Sequence, residues 1–217
     1  MKALHVVIQI LTLLIVMSMP LVSQSITLRG SSALELNIGL WNNFNAGQNI
    51  SLLGVRQEAK ASGSLGGLTY SYWMRENMAV TVAGSLLSSE ANVSVTTNPI
   101  SVGQTANALF SILIGTRYYL PEPEPEDMVR PYASLAVGSY MGFEASNTII
   151  AQSARSESTF GGRIGVGIDA FLGKSVKLGA SAGYNLMSDF RSAIGARNNF
   201  NGGDFSLGIG FLFGGER

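Results

Sequence analysis

The sequence predicts an all-β fold, an eight-stranded antiparallel up-and-down transmembrane β-barrel preceded by a signal peptide. Three observations predict it. Past Ile26, large apolar residues recur at every second position, and no long stretch keeps the 3.6-residue period of a helix. The alternating stretches run to about ten residues or more, against about 5 to 6 for a typical soluble strand. The segments between them alternate long and short, as expected when loops face the exterior and tight turns face the periplasm.

The first 25 residues carry a basic start at Lys2, an apolar run from Val6 to Met17, a break at Pro20 and small residues at Ser23 and Ser25. The run is shorter than the roughly 20 residues a membrane-spanning helix needs. Residues 1–25 therefore read as a cleaved signal peptide and residues 26–217 as one barrel domain. Without Lys2 and His5, 13 basic residues face 14 acidic ones, so a basic footprint for nucleic acid is absent.

Eight strands follow in order, at 32–43, 61–73, 78–88, 108–120, 130–145, 159–172, 176–187 and 203–213. In the first, Leu34, Leu36, Ile38 and Leu40 share one face, with Glu35, Asn37 and Gly39 on the other. The second and third join through the short turn MREN at 74–77. The fourth sets Phe110, Ile112, Ile114 and Tyr118 against Ser111, Gly115 and Arg117. A Pro-Glu run at 121–129 reads as a stiff, extended turn before the fifth, because alternating proline cannot pair in a sheet. The sixth sets Phe160, Ile164, Val166, Ile168 and Leu172 against Arg163, Gly165, Gly167 and Asp169. A tight GKS turn leads to the seventh, where Val176, Leu178, Tyr184 and Leu186 oppose Lys177, Gly179, Ser181, Gly183 and Asn185. The eighth, FSLGIGFLF, alternates phenylalanine, leucine and isoleucine with serine and glycine. The remaining segments, 44–60, 89–107, 146–158 and 188–202, read as long exterior loops rich in Asn, Ser, Thr and Gly.

Which face points inward follows from volume. An eight-stranded barrel has an interior just wide enough for side chains to fill it. Eight faces of Phe, Leu, Ile and Tyr would overload that space and leave a glycine-rich exterior with few charges, a poor soluble surface. With only 13% charged residues in the chain, the inverted arrangement is favoured: apolar groups meet lipid while Gly, Ser and a few charges fill the lumen. A soluble barrel binding a ligand inside is the competing arrangement.

The inward charges by this parity are Glu35, Arg117, Glu144, Arg163, Asp169, Lys177 and Asp204. Their near balance of sign predicts a lumen network of ion pairs that plugs the barrel, since unpaired buried charges are costly; a narrow polar path is the alternative. Aromatic residues near the short-turn end, Tyr70, Tyr72, Trp73, Tyr118, Tyr119, Phe211 and Phe213, are assigned to an interfacial belt, with Trp41, Phe44 and Phe143 at the opposite rim.

Catalytic chemistry is poorly provided for. The mature chain has neither His nor Cys, which excludes a Ser-His-acid triad, a thiol nucleophile and a Cys/His metal site. GVGIDA at 165–170 matches a dinucleotide fingerprint in letters but lies inside an alternating strand with no helix after it. No cofactor is expected, and no enzyme.

The strand count, the loop alternation and the phrases IGTRYYLP, RPYASLAVGSY and FSLGIGFLFGGER resemble the small eight-stranded outer-membrane β-barrel proteins, such as the OmpA transmembrane domain, OmpX and the opacity-type surface proteins. The resemblance covers about residues 30–217. It implies a bacterial outer-membrane location, contact with outer-membrane lipid and lipopolysaccharide, and delivery by the barrel-insertion machinery. It also implies a structural or surface-interaction role with a partner at the long loops, or passive transport of small or hydrophobic solutes. Members commonly finish on an aromatic residue, whereas here GGER follows Phe213.

Overall fold

The structure, a computed structural model of the chain, describes residues 27–42, 50–52, 55–57, 62–89, 104–120, 127–147, 152–194 and 197–215. The expected signal peptide, the Pro-Glu run at 121–126 and Phe44 lie outside them.

Ten strands are present: β1 (Ser31–Asn42), β2 (Ile50–Leu52), β3 (Val55–Gln57), β4 (Ser62–Arg75), β5 (Met78–Ser89), β6 (Gln104–Tyr119), β7 (Val129–Asn147), β8 (Gln152–Leu172), β9 (Val176–Met187) and β10 (Gly202–Gly214). Eight of them close into an antiparallel barrel in the order β1-β10-β9-β8-β7-β6-β5-β4, and β2 and β3 form a separate two-stranded ladder. Closure is made by β1 against β10, in unbroken register from Ser31↔Gly214 to Asn42↔Gly203. Every strand of the barrel thus has a neighbour on both sides, which hydrocarbon demands of any backbone that crosses it.

The alternation selects the faces as the volume argument requires. Leu34, Leu36, Ile38 and Leu40 point outward, as do Ile112, Ile114, Phe160, Ile164, Val166, Phe205, Leu207, Ile209, Phe211 and Phe213, the last two 60% and 52% exposed. Glu35, Ser111, Arg117, Asp169, Lys177, Asp204 and Ser206 are buried in the lumen. The short-turn end is compact: Arg75 pairs with Met78 across the two-residue turn Glu76-Asn77, and β8 passes to β9 through a turn in which Gly173 takes a positive φ of 71°.

Three aromatic assignments need correction. Trp73 and Tyr119 are fully buried inside the barrel, and Trp41 is 2% exposed there. Strict alternation is the reason: Tyr72 and Tyr118 take the lipid face, so their neighbours must turn inward. Tyr70, Tyr72, Tyr118, Phe211, Phe213 and Phe143 do face outward.

The exterior end also differs from the sequence reading. Residues 146–158 were expected as a loop, but β7 continues to Asn147 and β8 begins at Gln152, with Asn147 opposite Gln152. Polar residues on both faces erase the apolar alternation there, because beyond the membrane neither face must be greasy. With 19 and 21 residues, β7 and β8 are far longer than the 12 residues of β1. A membrane strand needs only about 9 to 11 residues. β6 reaches up beside them to pair Gln104 with Asn147, so the three form a flange above the barrel. Within 44–60, β2 and β3 pair as a short antiparallel ladder that the pattern did not announce.

The inside-out assignment makes a direct prediction. Leu207→Arg, near mid-strand on the lipid face, should destabilise the folded protein in bilayers by about 2–4 kcal/mol, read as a lower urea midpoint of refolded protein.

Candidate functional site in the barrel lumen

The lumen is filled in four layers, built mainly from alternate residues of the barrel strands. At the short-turn end lies an aromatic floor of Leu28, Trp73, Tyr119, Tyr132 and Phe171, backed by Ala33 and Ala79. Trp73 and Tyr119 stack with centroids 6.4 Å apart, while Phe171 meets Trp73 and Tyr132 meets Tyr119 edge-on. The chain entering β1 completes this floor. The Glu76 carboxylate accepts from the backbone N–H groups of Leu28 (2.9 Å) and Arg29 (3.0 Å), and Gly30 N–H donates to Trp73 O. Arg130, which the sequence reading overlooked beside Pro131, lies 1% exposed with its guanidinium over the Phe171 ring and 4.0 Å from Glu76.

On that floor sits a balanced ion cluster. Lys177 Nζ lies 2.5 Å from Glu35 Oε2 and 2.9 Å from Asp169 Oδ2. Arg117 Nη1 donates to Glu35 Oε2 at 3.0 Å and to Asp169 Oδ2 at 3.4 Å, and Tyr119 Oη donates to Asp169 at 2.8 Å. Two carboxylates and two cations, from β1, β6, β8 and β9, thus neutralise one another, with Arg117 over the Tyr132 ring and Lys177 over that of Trp73. The glycines of β10 make this geometry fit. A Cβ on Gly208 would lie 2.7 Å from Glu35 Oε1, and one on Gly210 would lie 2.9 Å from Lys177 Cγ. The small residues of the final strand are therefore room for the charged side chains beside them.

Above the cluster is a polar chamber of about 100 Å³, lined on one side by Arg163, Asp204, Asn185, Ser181 and Ser206. That is space for several waters. Arg163 forms a two-pronged pair with Asp204 at 2.9 and 2.6 Å, and Asn185 donates to the same carboxylate at 2.7 Å. The rest of the wall is mostly small or apolar, Leu65, Gly67, Ala83, Gly84, Ser85 and Leu113, with Asn37, Thr69 and Arg117 completing it.

The fourth layer closes the exterior end. Trp41, Leu87, Leu109, Leu113, Tyr140 and Met187 come from strands, but Phe190, Ile194 and Phe200 come from the connection between β9 and β10. That connection, read as an exterior loop, folds back into the mouth. Its three large apolar residues within a polar stretch were the signal available in the sequence.

Of the seven charges assigned to the lumen, the structure joins Glu35, Arg117, Asp169 and Lys177 in one cluster and Arg163 with Asp204 in a second. Glu144 stands apart: it is half-buried on the flange, opposite Arg155. Outside the membrane span, burial lowers the pKa of the Arg197 guanidinium. Among the described residues no group of three or more His, Cys, Asp or Glu could hold a metal ion. GVGIDA lies wholly inside β8, where no helix follows.

The inverted barrel is matched by the outer membrane protein beta-barrel domain family over residues 10–213. The chain belongs to that family. As an outer-membrane barrel it lies in the bacterial outer membrane. Its fold is similar to that of Neisserial surface protein A, with 15% identity over 85% of this chain and 97% of that one and a TM-score of 0.55. It is also similar to OprG from Pseudomonas aeruginosa, with 14% identity over 87% and 98% and a TM-score of 0.51. A third similar structure is Ail, the attachment invasion locus protein of Yersinia pestis, in complex with the heparin analogue sucrose octasulfate, with 17% identity over 85% and 99% and a TM-score of 0.50. No curated protein matches the sequence.

The buried cluster predicts an asymmetric mutational response. Lys177→Met strands two carboxylates on Arg117 and should cost about 3–5 kcal/mol. Combining it with Asp169→Leu removes one charge of each sign and should recover much of that loss, as read from urea unfolding of the refolded barrel.

Proposed function

We infer that this outer-membrane barrel is a non-conducting, non-enzymatic scaffold whose working surface is its exterior end. The observation that carries this reading is the continuous filling of the lumen. Aromatic floor, ion cluster and apolar roof follow one another with only the chamber between cluster and roof. A solute crossing the barrel would have to break the pairs of Glu35, Asp169, Arg117 and Lys177 and displace Trp73 and Tyr119, whereas a partner at the exterior need disturb none of them.

The flange of β6, β7 and β8 supports the same reading, because strands that outlast the membrane carry side chains into the space where a partner would stand. Arg155 and Arg191 are exposed on that side. Ail was crystallised with a heparin analogue, and a polyanionic polysaccharide is the class of surface ligand that such side chains would favour. The lipid-facing belt would meet outer-membrane lipid and lipopolysaccharide, and insertion would depend on the cell's barrel-insertion machinery. The chain has no cysteine, and its one histidine is His5, so acyl transfer through an imidazole-activated nucleophile has no residues to work with.

A second reading, passive transport of small solutes, is favoured by the polar chamber itself. Single-channel recording of purified protein in planar bilayers separates the two. The scaffold reading expects a silent barrel across the physiological voltage range; steady unitary conductance of the unaltered protein would reject it.

A further inference from the structure

The two ends of the lumen are covered by different kinds of structure. Except for Leu28, the short-turn floor is made of strand residues, and Leu28 is tied down through Glu76 and the Gly30–Trp73 backbone bond. Moving any of these breaks ladder hydrogen bonds or that clamp. The exterior roof instead depends on Phe190, Ile194 and Phe200, which lie on an irregular connection.

The hydrogen bonds of that connection bind it chiefly to itself. Phe190 N–H donates to Asn198 O, Ile194 and Arg197 exchange backbone bonds, and Asn199 donates to Asp189. Its outer ties run to β8, through Ser188 N–H to Phe160 O, Thr159 Oγ1 to Ser188 O and a long 3.5 Å contact from Arg155 to Ala193 O, and to the end of β9, where Met187 N–H donates to Asn201 Oδ1 at 2.6 Å. Against the barrel wall it offers ring and aliphatic contact: Phe200 on Trp41 at 5.9 Å between centroids, and Phe190 and Ile194 over Gly142. A Cβ on Gly142 would lie 3.1 Å from Ile194 and 3.2 Å from Phe190, so the missing side chain is the seat. Directly beneath, Leu65 and Leu113 belong both to this apolar layer and to the wall of the chamber.

We propose that the described residues of the β9–β10 connection, 188–194 and 197–201, form a lid, and that the chamber beneath is a blind pocket reached only from the exterior that takes a small uncharged hydrogen-bonding solute. The pocket is blind because the ion cluster and aromatic floor close its base. Its preference for uncharged solutes follows from its wall, where Arg163 is cancelled by Asp204 and Arg117 by the carboxylates below it, leaving hydroxyl and amide groups to offer. This inference rests on the non-conducting reading.

The chain has no cysteine, so a single introduced thiol reports access cleanly. In the full-length protein, Ser85→Cys places a thiol in the chamber wall. Small membrane-impermeant methanethiosulfonate reagents, one cationic and one anionic, are added from either side of a proteoliposome. With the lid intact, labelling from the exterior should be slow. Phe190→Ala/Phe200→Ala, or independently Gly142→Leu, should speed it at least tenfold from the exterior only, with the two reagents within about threefold of each other. Equal rates with and without lid substitutions would overturn the lid, and labelling from the short-turn side would overturn the blind floor. A strong preference for the anionic reagent would overturn the uncharged-solute assignment. The lid variants should stay electrically silent. Conductance in them with a silent parent would reject the blind pocket alone, whereas a conducting parent would reject the scaffold reading.

Discussion

Everything in this molecule follows from the backbone hydrogen bond that has no substitute in hydrocarbon. A peptide group facing lipid cannot borrow water, so the sheet must close, and the pairing of β1 with β10 supplies the last ladder. Closure fixes which side of every residue is inside, since the pleat alternates strictly. With eight strands the inside is too narrow to be left open and too narrow to be packed at random. Gly208 and Gly210 are small because Glu35 and Lys177 use the space that their side chains would take.

An ion cluster is an expensive way to fill that space, since desolvating charges costs energy that pairing only partly returns. Its value is clearest when register is considered. A strand apolar on both faces could slip by one residue and still satisfy lipid and lumen alike. A strand with Glu35 or Lys177 on one face cannot, because the slip would place the charge in hydrocarbon at about 2–4 kcal/mol for a basic residue near the midplane. Charges on β1, β6, β8 and β9, together with Asp204 on β10, therefore penalise the inverted register on five of the eight barrel strands. The balanced pairing makes the correct register tolerable.

The membrane-spanning part of this design was legible because lipid imposes a pattern on sequence. Leu34 to Leu40 and Phe205 to Phe213 announce strand, period and face at once. The pattern fails where two constraints overlap. Tyr72–Trp73 and Tyr118–Tyr119 each look like a doubled belt, yet in a pleated strand adjacent aromatics must part, and the inner members become the lumen floor. Beyond the membrane the constraint vanishes: residues 154–158, ARSES, are exposed or half-exposed on both faces and carry no apolar period although they are strand. Phe190, Ile194 and Phe200 were hidden differently, since their burial depends on the mouth of a barrel formed by residues distant in sequence.

The difference between the two seals has a geometric cause. At the short-turn end the tight turns bring neighbouring strands to a common level, so Trp73, Tyr119, Tyr132 and Phe171 converge in one plane and the ladder itself can close the lumen. At the exterior end the strands stop at unequal heights. β9 ends at Met187 opposite Gly161, leaving nine residues of β8 above it, while β1 ends at Asn42 and β7 climbs to Asn147. No ring of strand residues can meet across so uneven a rim. The gap on the low side must be filled by chain that is not in the ladder, and the connection leaving β9 begins there. A roof built this way is held by ring contacts and a few bonds to β8 and the end of β9, whereas the floor is held by the sheet that makes the barrel. Unequal strand heights thus put a flange, a low rim and a separable roof at the same end, and set a permanent floor at the other.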